Sequence, residues 1–390
     1  MKIERKKISK FIRRGGEELY RIKTRTGKEV KATGCHPVII FENGRIKSTL
    51  IRDLNKKSLI ATPRIINIQG DNNTDPDLAR LFGYIIGDGY VATDRIEFVN
   101  KDNEVIADFK KIVVSIFNCP IKERLEKNVT RIYVRDKVFV NTIRNLFYKG
   151  YNRSIISSIK KVPKELLMAN VNVIKNLLAG LFDTDGSVRK DIGVIEYCTK
   201  NKELASQIQQ CLLRLSIISR IKERNCKASN TVKQKIDKYY YVYIYGIDNI
   251  KKFYDNISLK VEYKRRNLEL HLNRKINPNQ NLDILPQEVN KYIREISSLL
   301  GIQPKPLRKE YPLLSAYIEN RCAPTREGIV RILELFKKKL EKLESYSKNL
   351  SLEINPLVEF MNELNLPGNL ASQQIGLNPE IYERPNSRGG

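Results

Sequence analysis

Two aspartates, Asp88 and Asp185, each stand at the end of a short apolar stretch and directly before a glycine. The first stretch reads LFGYIIGDG from residue 81 and the second reads LAGLFDTDG from residue 178, which places the aspartates 97 positions apart. Two carboxylates that are held together repel each other unless a cation or a proton lies between them. Mg²⁺ and Mn²⁺ are hard divalent cations that prefer oxygen ligands. The pair therefore predicts a divalent metal site if the two stretches meet.

Each stretch is expected to form a short helix with small residues four positions apart on one face. These are Gly83 and Gly87 in the first stretch, and Gly180 and Thr184 in the second. Faces with so little side chain allow two helices to approach backbone to backbone. The glycine after each aspartate ends its helix, because glycine readily adopts the left-handed conformation. Pairing of the helices would bring the two aspartates side by side at one end.

Both stretches resemble the signature of the LAGLIDADG homing endonucleases. Two copies at the spacing of a domain repeat favour this resemblance over the alternative, a pair of buried helices with incidental aspartates. The resemblance implies that Asp88 and Asp185 are catalytic and bind metal, with Gly87 and Thr184 as further metal-site residues. The first copy departs from the family pattern at Ile86, which stands where the family has its first acidic residue.

The segments after each motif are also repeated. Alternation of apolar and polar residues predicts strands, and apolar residues at helical spacing predict the helix between them. An internal repeat of this length suggests a pseudo-two-fold domain. The resemblance implies an α+β fold of two αββαββα halves with saddle-shaped antiparallel sheets, in a core at 71–275 with halves at about 75–165 and 170–275. The predicted strands are 95–99, 131–135, 193–197 and 239–245, and the predicted helices are 103–117 and 202–215.

The charge balance predicts a polyanionic partner. The chain has 71 Lys and Arg against 44 Asp and Glu, which gives a formal net charge of +27. Such an excess favours double-stranded DNA, whose major groove the predicted strands could line. A basic surface alone would also suit a ribosomal or membrane-facing protein, and the repeated motif decides between them. The candidate DNA contacts are Arg131, Arg135, Tyr241, Tyr243, Arg265, Arg266 and Arg326, and Glu97 and Glu196 share the predicted strands.

Two lysines are candidates for a role beside the metal site. The segment Ile159–Pro163 resembles the Lys-x-Ile-Pro block of the family, which nominates Lys160, with Lys161 as the alternative. The run YKRRNL from residue 263 resembles the closing Lys-Arg block and nominates Lys264. A lysine there would help to polarise a water or stabilise charge on the phosphate. The alternative for both segments is an ordinary solvated basic run.

The N-terminal region carries a second resemblance. Residues 19–37 resemble the intein block that ends Thr-x-x-His-Pro, with Thr33 and His36 on its motif positions, and residues 53–63 resemble the segment that follows. The resemblance implies a partial all-β splicing (Hint-like) region at 1–70. Inteins also need a terminal nucleophile and a terminal His-Asn, whereas this sequence begins Met-Lys-Ile and ends Asn-Ser-Arg-Gly-Gly. We therefore expect that the chain as given does not splice.

The region after about residue 275 predicts a separate helical domain at 280–350, followed by a largely irregular tail at 351–390. Thr325 is a plausible N-cap for a helix, and a short helix and a tight turn precede it. This arrangement suggests a helix-turn-helix module and resembles the extra DNA-binding domain of some archaeal intein endonucleases. A plain helical bundle is the alternative.

The composition excludes several classes of protein. No apolar run approaches the length of a membrane span, and the first residues lack the apolar stretch of a signal peptide. The six cysteines form no Cys-x-x-Cys pair, which argues against a zinc site and for reduced thiols in the cytoplasm. We expect no membrane partner, and a monomer, since both halves lie in one chain.

The favoured interpretation is a site-specific, intein-derived homing endonuclease that makes a metal-dependent double-strand break at a long recognition site. The family cuts across the minor groove, and two or three divalent ions would lie between the aspartates, as in two-metal phosphodiester hydrolysis. One alternative is an RNA-binding maturase, as in intron homing systems, or a non-cutting DNA-binding regulator on the same fold. Another alternative is an intein protein-splicing element.

Overall fold

The computed structural model describes residue 7 and residues 9–11, 15–16, 18–66, 70, 74–148, 153–227, 236–273 and 284–350. The predicted tail at 351–390 lies outside the described residues.

The strands are β1 Leu19–Lys23, β2 Glu29–Thr33, β3 Pro37–Glu42, β4 Arg45–Leu50, β5 Leu59–Ile60, β6 Gly89–Val91, β7 Ile96–Asn100, β8 Ile121–Glu126, β9 Val129–Val134, β10 Gly186–Arg189, β11 Val194–Thr199, β12 Ser219–Lys227 and β13 Ile236–Tyr245. The helices are α1 Pro76–Asp88, α2 Asn103–Phe117, α3 Lys137–Tyr148, α4 Lys164–Leu167, α5 Val171–Thr184, α6 Lys202–Arg214, α7 Ile247–Asn256, α8 Glu262–Leu272, α9 Val289–Leu299, α10 Leu314–Ile318 and α11 Arg326–Leu350.

The chain forms two compact units. The first unit comprises residues 1–32 and 62–282, and the second comprises residues 33–61 and 283–390. The predicted Hint-like region is therefore divided between the two units. Its described residues from 18 to 66 form only strands, turns and one short 3₁₀ turn at Ile51–Asp53. Its relation to a splicing domain stays a prediction.

The first unit contains two four-stranded antiparallel sheets with the same strand order. One sheet runs β6–β7–β9–β8, and the other runs β10–β11–β13–β12. The element order is α1-β6-β7-α2-β8-β9-α3 in the first half and α5-β10-β11-α6-β12-β13-α7 in the second. Each half therefore follows the expected αββαββα order.

Side-chain caps fix where the main helices begin. The Asp75 carboxylate accepts a hydrogen bond from the Asp77 amide at 2.7 Å, and Pro76 occupies the first turn of α1. Asp102 caps α2 in the first half, and Asn201 caps α6 at the matching place in the second. The predicted helix at 103–117 has the observed bounds of α2.

Period-two alternation turns one face of each sheet toward a shared apolar core. Phe98 of β7 stacks on Phe109 of α2, with ring centroids 4.3 Å apart. Phe182 of α5 makes edge contacts with Tyr197 of β11 and Phe253 of α7. Helices α1 and α5 lie within this core, so each sheet is packed against the helix that carries its motif.

The second unit combines a small sheet with a helical cluster. The sheet has the order β4–β3–β5. Helices α9, α10 and α11 bury a separate apolar core that includes Ile293, Tyr317 and Phe336. The Thr325 hydroxyl accepts a hydrogen bond from the Gly328 amide at 3.0 Å, which confirms the predicted N-cap of α11. The helix-turn-helix interpretation of this cluster stays a prediction.

Among the described residues, no helix is both long enough and apolar enough to cross a membrane.

Candidate active site

Helices α1 and α5, the motif helices, pack backbone to backbone. A Cβ added to Gly83 would lie 2.5 Å from the Leu177 carbonyl oxygen. One added to Gly180 would lie 2.3 Å from the Arg80 carbonyl oxygen. Side chains larger than hydrogen at these crossings would overlap with main-chain atoms that cannot rotate away. The predicted close approach of the small-residue faces is therefore observed.

The same close approach continues to the ends of the motif helices. A Cβ at Gly87 would lie 2.0 Å from the Thr184 hydroxyl oxygen, so Gly87 and Thr184 face each other directly. The Thr184 hydroxyl itself donates to carbonyls of its own helix. Asp88 is the last residue of α1, and Asp185 caps the C-terminus of α5. The two predicted metal ligands thus lie at the same end of the helix pair.

Asp88 is partly buried and carries a perturbed carboxyl group. Burial, followed by the nearby Asp185 carboxylate, raises the pKa of Asp88 from 3.8 to about 6. The Asn100 side-chain amide opposes this rise by donating to Asp88 Oδ2 at 2.7 Å. The charges of Lys264 and Lys160 also lower the pKa. The carboxylate is therefore ionised at neutral pH, although its surroundings disfavour the charge.

Asp185 has a different partner and a more open position. The Tyr197 hydroxyl donates to Asp185 Oδ2 at 3.4 Å. The side chain is exposed to solvent, yet dense protein surrounds it on the remaining sides and raises its pKa. The carboxylate is therefore open to solvent on one side and surrounded by protein on the others. An ion or a phosphate from solvent can therefore reach the carboxylate.

The lysines predicted beside the site are buried at the ends of the motif helices. Lys160 donates to the Ile85 and Ile86 carbonyls at 2.9 and 3.0 Å, and also to the Gly89 carbonyl. Lys264 donates to the Phe182 and Asp183 carbonyls at 2.8 and 2.7 Å. Each ammonium group thus donates to several carbonyls at the C-terminal end of its motif helix, where carbonyls lack the amide donors of the next turn.

Burial lowers the pKa of both Lys160 and Lys264 to about 8, against the opposing effect of nearby carboxylates. Both therefore remain mostly protonated at neutral pH and lower the pKa of Asp88 and Asp185 through their charge. Lys161, the alternative to Lys160, pairs instead with the exposed Glu203 at 3.4 Å. The sequence predicts lysines that act on water or phosphate, whereas in this structure their ammonium groups bind main-chain carbonyls.

A buried ionic network next to the site was not predicted. Arg80 donates through Nη2 to Asp183 Oδ2 at 2.9 Å and through Nε to the Tyr84 hydroxyl at 2.9 Å, and its Nε lies 2.7 Å from Asp108 Oδ2. Asp183 also accepts from the Lys260 amide at 2.8 Å, just before the helix that carries Lys264. The network joins α1, α2 and α5. The sequence signal for this network is Arg80 itself, a single cation within the apolar run LARLFGYIIGDG from residue 78.

The donor set at the helix ends suits a hard divalent cation. In the part of the chain that the structure describes, no three His, Cys, Asp or Glu side chains cluster as a complete metal cage. Mg²⁺ commonly takes only one or two carboxylates and completes its shell with water and substrate phosphate. Two carboxylates with raised pKa, one of them open to solvent, therefore fit Mg²⁺ or Mn²⁺.

The predicted DNA contacts on the strands project away from the core. On β9, Arg131 directly precedes the core residue Ile132, and on β13, Tyr241 and Tyr243 flank the core residue Val242. Arg131 is already ion-paired with Glu97 and Glu126 at 3.0 and 3.1 Å. The Tyr243 side chain is only 4% exposed, because neighbouring rings and cations cover it. Direct contact of Tyr243 with a partner, as predicted from the sequence, would require these neighbours to move.

The remaining candidates lie elsewhere. Arg135 is exposed just after β9. On α8, Arg265 donates to Glu104 at 3.3 Å and Arg266 pairs with Glu262, so helix carboxylates already engage both. Arg326 begins α11 in the second unit.

Thr33 is the last residue of β2, and His36 directly precedes β3. The His36 amide donates to the Thr33 carbonyl at 3.1 Å, and the Thr33 hydroxyl lies 3.2 Å from Cys35 Sγ. The His36 side chain is exposed.

Comparison with known proteins identifies the region that contains the site. A family model described as a LAGLIDADG-like domain matches residues 75–149 and 172–258. The first segment begins at the N-cap of α1 and the second begins in the first turn of α5, and together they extend over both sheets.

The chain also resembles parts of curated proteins with unrelated names. It is 32% identical over 282 residues to the replication factor C small subunit of Methanocaldococcus jannaschii, covering 71% of this chain and 14% of that protein. It is 28% identical over 265 residues to the ATP-dependent DNA helicase Hel308 of the same organism, covering 64% of this chain and 21% of that protein. The chain therefore spans about one fifth or less of the length of these two relatives.

Solved structures give more distant matches. A structure of the homing endonuclease I-DmoI is 16% identical with a TM-score of 0.35, covering 47% of this chain and 95% of that one. Full-length DUF199/WhiA from Thermatoga maritima is 14% identical with a TM-score of 0.36, covering 76% of this chain and 92% of that one. By the family-model match, residues 75–149 and 172–258 form a LAGLIDADG-like domain with an α+β fold built on antiparallel sheets.

Proposed function

We propose that this protein is a site-specific DNA endonuclease that hydrolyses both strands of a duplex with the help of a divalent metal ion. The observation that carries the proposal is the pair formed by Asp88 and Asp185 at the joined ends of the motif helices. Their pKa values are raised and Asp185 is open to solvent. Carboxylates with perturbed pKa values that solvent can reach mark candidate catalytic sites with a physical rationale.

In the mechanism, Asp88 and Asp185 would hold the metal, with Gly87 and Thr184 setting the distance between them. A bound Mg²⁺ or Mn²⁺ would supply an activated water and neutralise charge on the phosphate. Lys160 and Lys264 fix the ends of the two helices through main-chain carbonyls and place positive charge near the reacting phosphate. Asn100 and Tyr197 orient the carboxylates through their hydrogen bonds.

The proposed partner is double-stranded DNA, and the proposed active species is one chain in which the two halves are related by a pseudo-two-fold axis. Two features support this. The formal net charge is +27, which favours an extended polyanion. The two sheets share one strand order, and the first strand of each begins directly after one of the two aspartates, so that each sheet could follow one half of a long site.

We further infer that the protein derives from an intein, with Thr33 and His36 as remnants of a splicing site. The Thr-x-x-His-Pro resemblance supports this origin. So does the pattern of relatives, since a replication factor subunit and a helicase match 71% and 64% of this chain over only 14% and 21% of their own lengths. A mobile insert would produce this pattern, whereas a shared host function would not. A gene whose reading frame continues into host sequence on both sides would support the inference, and an isolated gene would count against it.

The test is cleavage of a randomised duplex library in Mg²⁺, with sequencing of the cut ends. Asp185→Asn is expected to abolish double-strand cleavage while duplex binding is retained, because it removes one metal-binding charge and little volume. Asp191→Asn is the matched control, since Asp191 is an exposed residue of the same half that pairs with Arg189 at 2.9 Å. This variant should cut normally.

Cuts within one long motif that depend on Asp185 would support an endonuclease. Full cleavage by Asp185→Asn would refute the proposed mechanism. Motif-specific binding without cleavage by the unmodified protein would instead indicate a non-cutting regulator. Stronger binding to a structured intron RNA than to any duplex would indicate a maturase.

A further inference from the structure

The outer face of each sheet, meaning the face turned away from the apolar core, can be compared position by position between the halves. Phe98 lies opposite Gly89 in the first sheet, and Tyr197 lies opposite Gly186 in the second. Each glycine directly follows the metal-site aspartate and begins the first strand of its sheet. The pairing registers therefore give a residue-by-residue correspondence between the two sheets.

This correspondence shows that one ion pair of the first sheet is replaced in the second. Val99, the residue after Phe98, lies opposite Arg131, and Cys198, the residue after Tyr197, lies opposite Tyr241. Arg131 therefore corresponds to Tyr241. On the next strand, Arg124 of β8 lies opposite Arg131, and Lys222 of β12 lies opposite Tyr241, so that Arg124 corresponds to Lys222. Two positions further along each strand, Glu126 of β8 therefore corresponds to Arg224 of β12. An arginine–glutamate pair in one half thus becomes a tyrosine–arginine pair in the other.

Three arginines of the first outer face, Arg95, Arg124 and Arg131, are paired with carboxylates. Arg131 pairs with Glu97 at 3.0 Å and with Glu126 at 3.1 Å. Glu97 also accepts from Arg95 at 2.7 Å. Arg124 lies 3.9 Å from the other oxygen of Glu126. Opposite charges therefore alternate along this face, and each of these cations already has an anionic partner.

On the second outer face, Arg189 of β10 pairs with Asp191, whereas Lys222 and Arg224 of β12 contact aromatic rings. The guanidinium of Arg224 lies 5.5 Å from the Tyr241 ring centroid and 5.4 Å from that of Tyr243. The ammonium of Lys222 lies 5.8 Å from the Tyr243 centroid. The rings of Tyr241, Tyr243 and Tyr245 stack at 5.8 and 5.5 Å. Within the described residues, no carboxylate lies within ion-pair distance of Lys222 or Arg224.

We infer that the two halves bind DNA unequally, and that the second outer face supplies most of the contacts to the phosphate backbone. This inference rests on the proposed function. A cation without a carboxylate partner gains the full benefit of counterion release when it meets a phosphate, whereas a paired cation must exchange one anion for another. The stacked tyrosines hold Lys222 and Arg224 in place and leave their charges available. The first outer face, with its alternating charges, then contributes mainly to alignment.

The test is the salt dependence of duplex binding, measured by fluorescence anisotropy with a labelled random-sequence duplex between about 50 and about 300 mM NaCl. Two double variants each remove two positive charges: Lys222→Ala with Arg224→Ala, and Arg124→Ala with Arg131→Ala. The second-sheet variant should reduce the slope of log K against log salt by about 1.8, that is, about 0.9 for each lost phosphate contact. The first-sheet variant should reduce it by less than half as much.

A charge-preserving variant and folding measurements complete the experiment. Lys222→Arg with Arg224→Lys should keep the slope of the unmodified protein, since the charges remain. Thermal unfolding of every variant shows whether the fold is retained. Glu97→Gln should steepen the slope, because it releases Arg95 and Arg131 from their shared carboxylate.

The outcomes separate this inference from the proposed function. If the two double variants reduce the slope of log K against log salt equally, or if the first-sheet variant reduces it more, the inference is overturned. Duplex binding by the unmodified protein would then still support the proposed function. Failure of the unmodified protein to bind duplex at any salt concentration overturns the inference and the proposed function together. Stronger binding to a structured RNA than to duplex in the same assay also overturns both the inference and the proposed function.

Discussion

At the scale of single residues, Asp88 carries a charge that its surroundings disfavour. Its pKa in the folded protein is about 6, against an ordinary value of 3.8. The folded state therefore binds a proton more tightly than the unfolded state between these values, and stability falls as pH rises through that window. We expect Asp88→Asn to raise the unfolding free energy at about pH 7.5 by on the order of 1 kcal/mol, after allowance for partial exposure to solvent.

The measurement is thermal unfolding at about pH 7.5 and about pH 3.5. At about pH 3.5 the advantage of Asp88→Asn should largely vanish, because the Asp88 carboxyl is then mostly protonated in both the folded and the unfolded state. Mg²⁺ should stabilise the unmodified protein more than the variant, since the variant has lost one ligand. Asp191→Asn is the surface control. A variant that is less stable than the unmodified protein at about pH 7.5 would contradict the prediction.

Lys160 permits a second prediction at this scale. Its ammonium group lowers the pKa of Asp88 and Asp185 through its charge. We expect Lys160→Met to move the acidic limb of the pH profile for cleavage to higher pH, because both carboxyls become harder to ionise. Lys161→Met is the matched control, since Lys161 lies on the surface beside Glu203. A profile that shifts equally in both variants, or in neither, would contradict an electrostatic role for Lys160.

At the scale of secondary-structure elements, the motif helices depend on glycine at their crossing. A Cβ on Gly83 would lie 2.5 Å from the Leu177 carbonyl oxygen and 2.7 Å from the Leu181 amide nitrogen. We expect Gly83→Ala to force the helices apart and to cost about 1–3 kcal/mol of unfolding free energy, despite the better helix propensity of alanine. Urea unfolding gives the measurement. Gly15→Ala is the control, because a Cβ there meets nothing within 4 Å.

The wider separation should also weaken metal binding, because Asp88 and Asp185 stand at the ends of the same two helices. Isothermal titration with Mn²⁺ would detect this loss. Unchanged stability together with unchanged metal affinity in Gly83→Ala would mean that the helices are less closely packed than the structure indicates.

The elements were the part of this fold that sequence could predict. Periodicity alone located α2 at 103–117, and the small residues located the crossing of α1 and α5, because both signals are local. The position of Arg80 could not be predicted, since its partner Asp183 lies 103 residues away and burial of a cation depends on such partners. Nor could alternation alone reveal that cations and rings cover Tyr243.

At the scale of the whole protein, two divergent halves share one helix pair, and the Arg80 network ties the halves together. Arg80 is 5% exposed and Asp183 is 3% exposed. The guanidinium reaches Asp183 of α5, Asp108 of α2 and the Ser258 carbonyl. We expect Arg80→Met to cost about 3–5 kcal/mol, because it leaves buried carboxylates without their cation. Urea unfolding at neutral pH gives the measurement.

A double-mutant cycle with Asp183→Asn distinguishes a specific ion pair from a general loss of packing. In the double variant no charged Asp183 remains to be left unpaired, so the combined cost should be smaller than the sum of the single costs by on the order of 1–3 kcal/mol. The substituted asparagine would still offer an oxygen to the Lys260 and Val261 amides, which donate hydrogen bonds to Asp183 Oδ1 at 2.8 and 3.1 Å. Strict additivity would show that Arg80 acts through Asp108 and Tyr84, which both lie in the first half. In that case the halves would be joined by the glycine crossing and by other contacts, such as the ion pair between Lys260 and Asp108 at 3.1 Å.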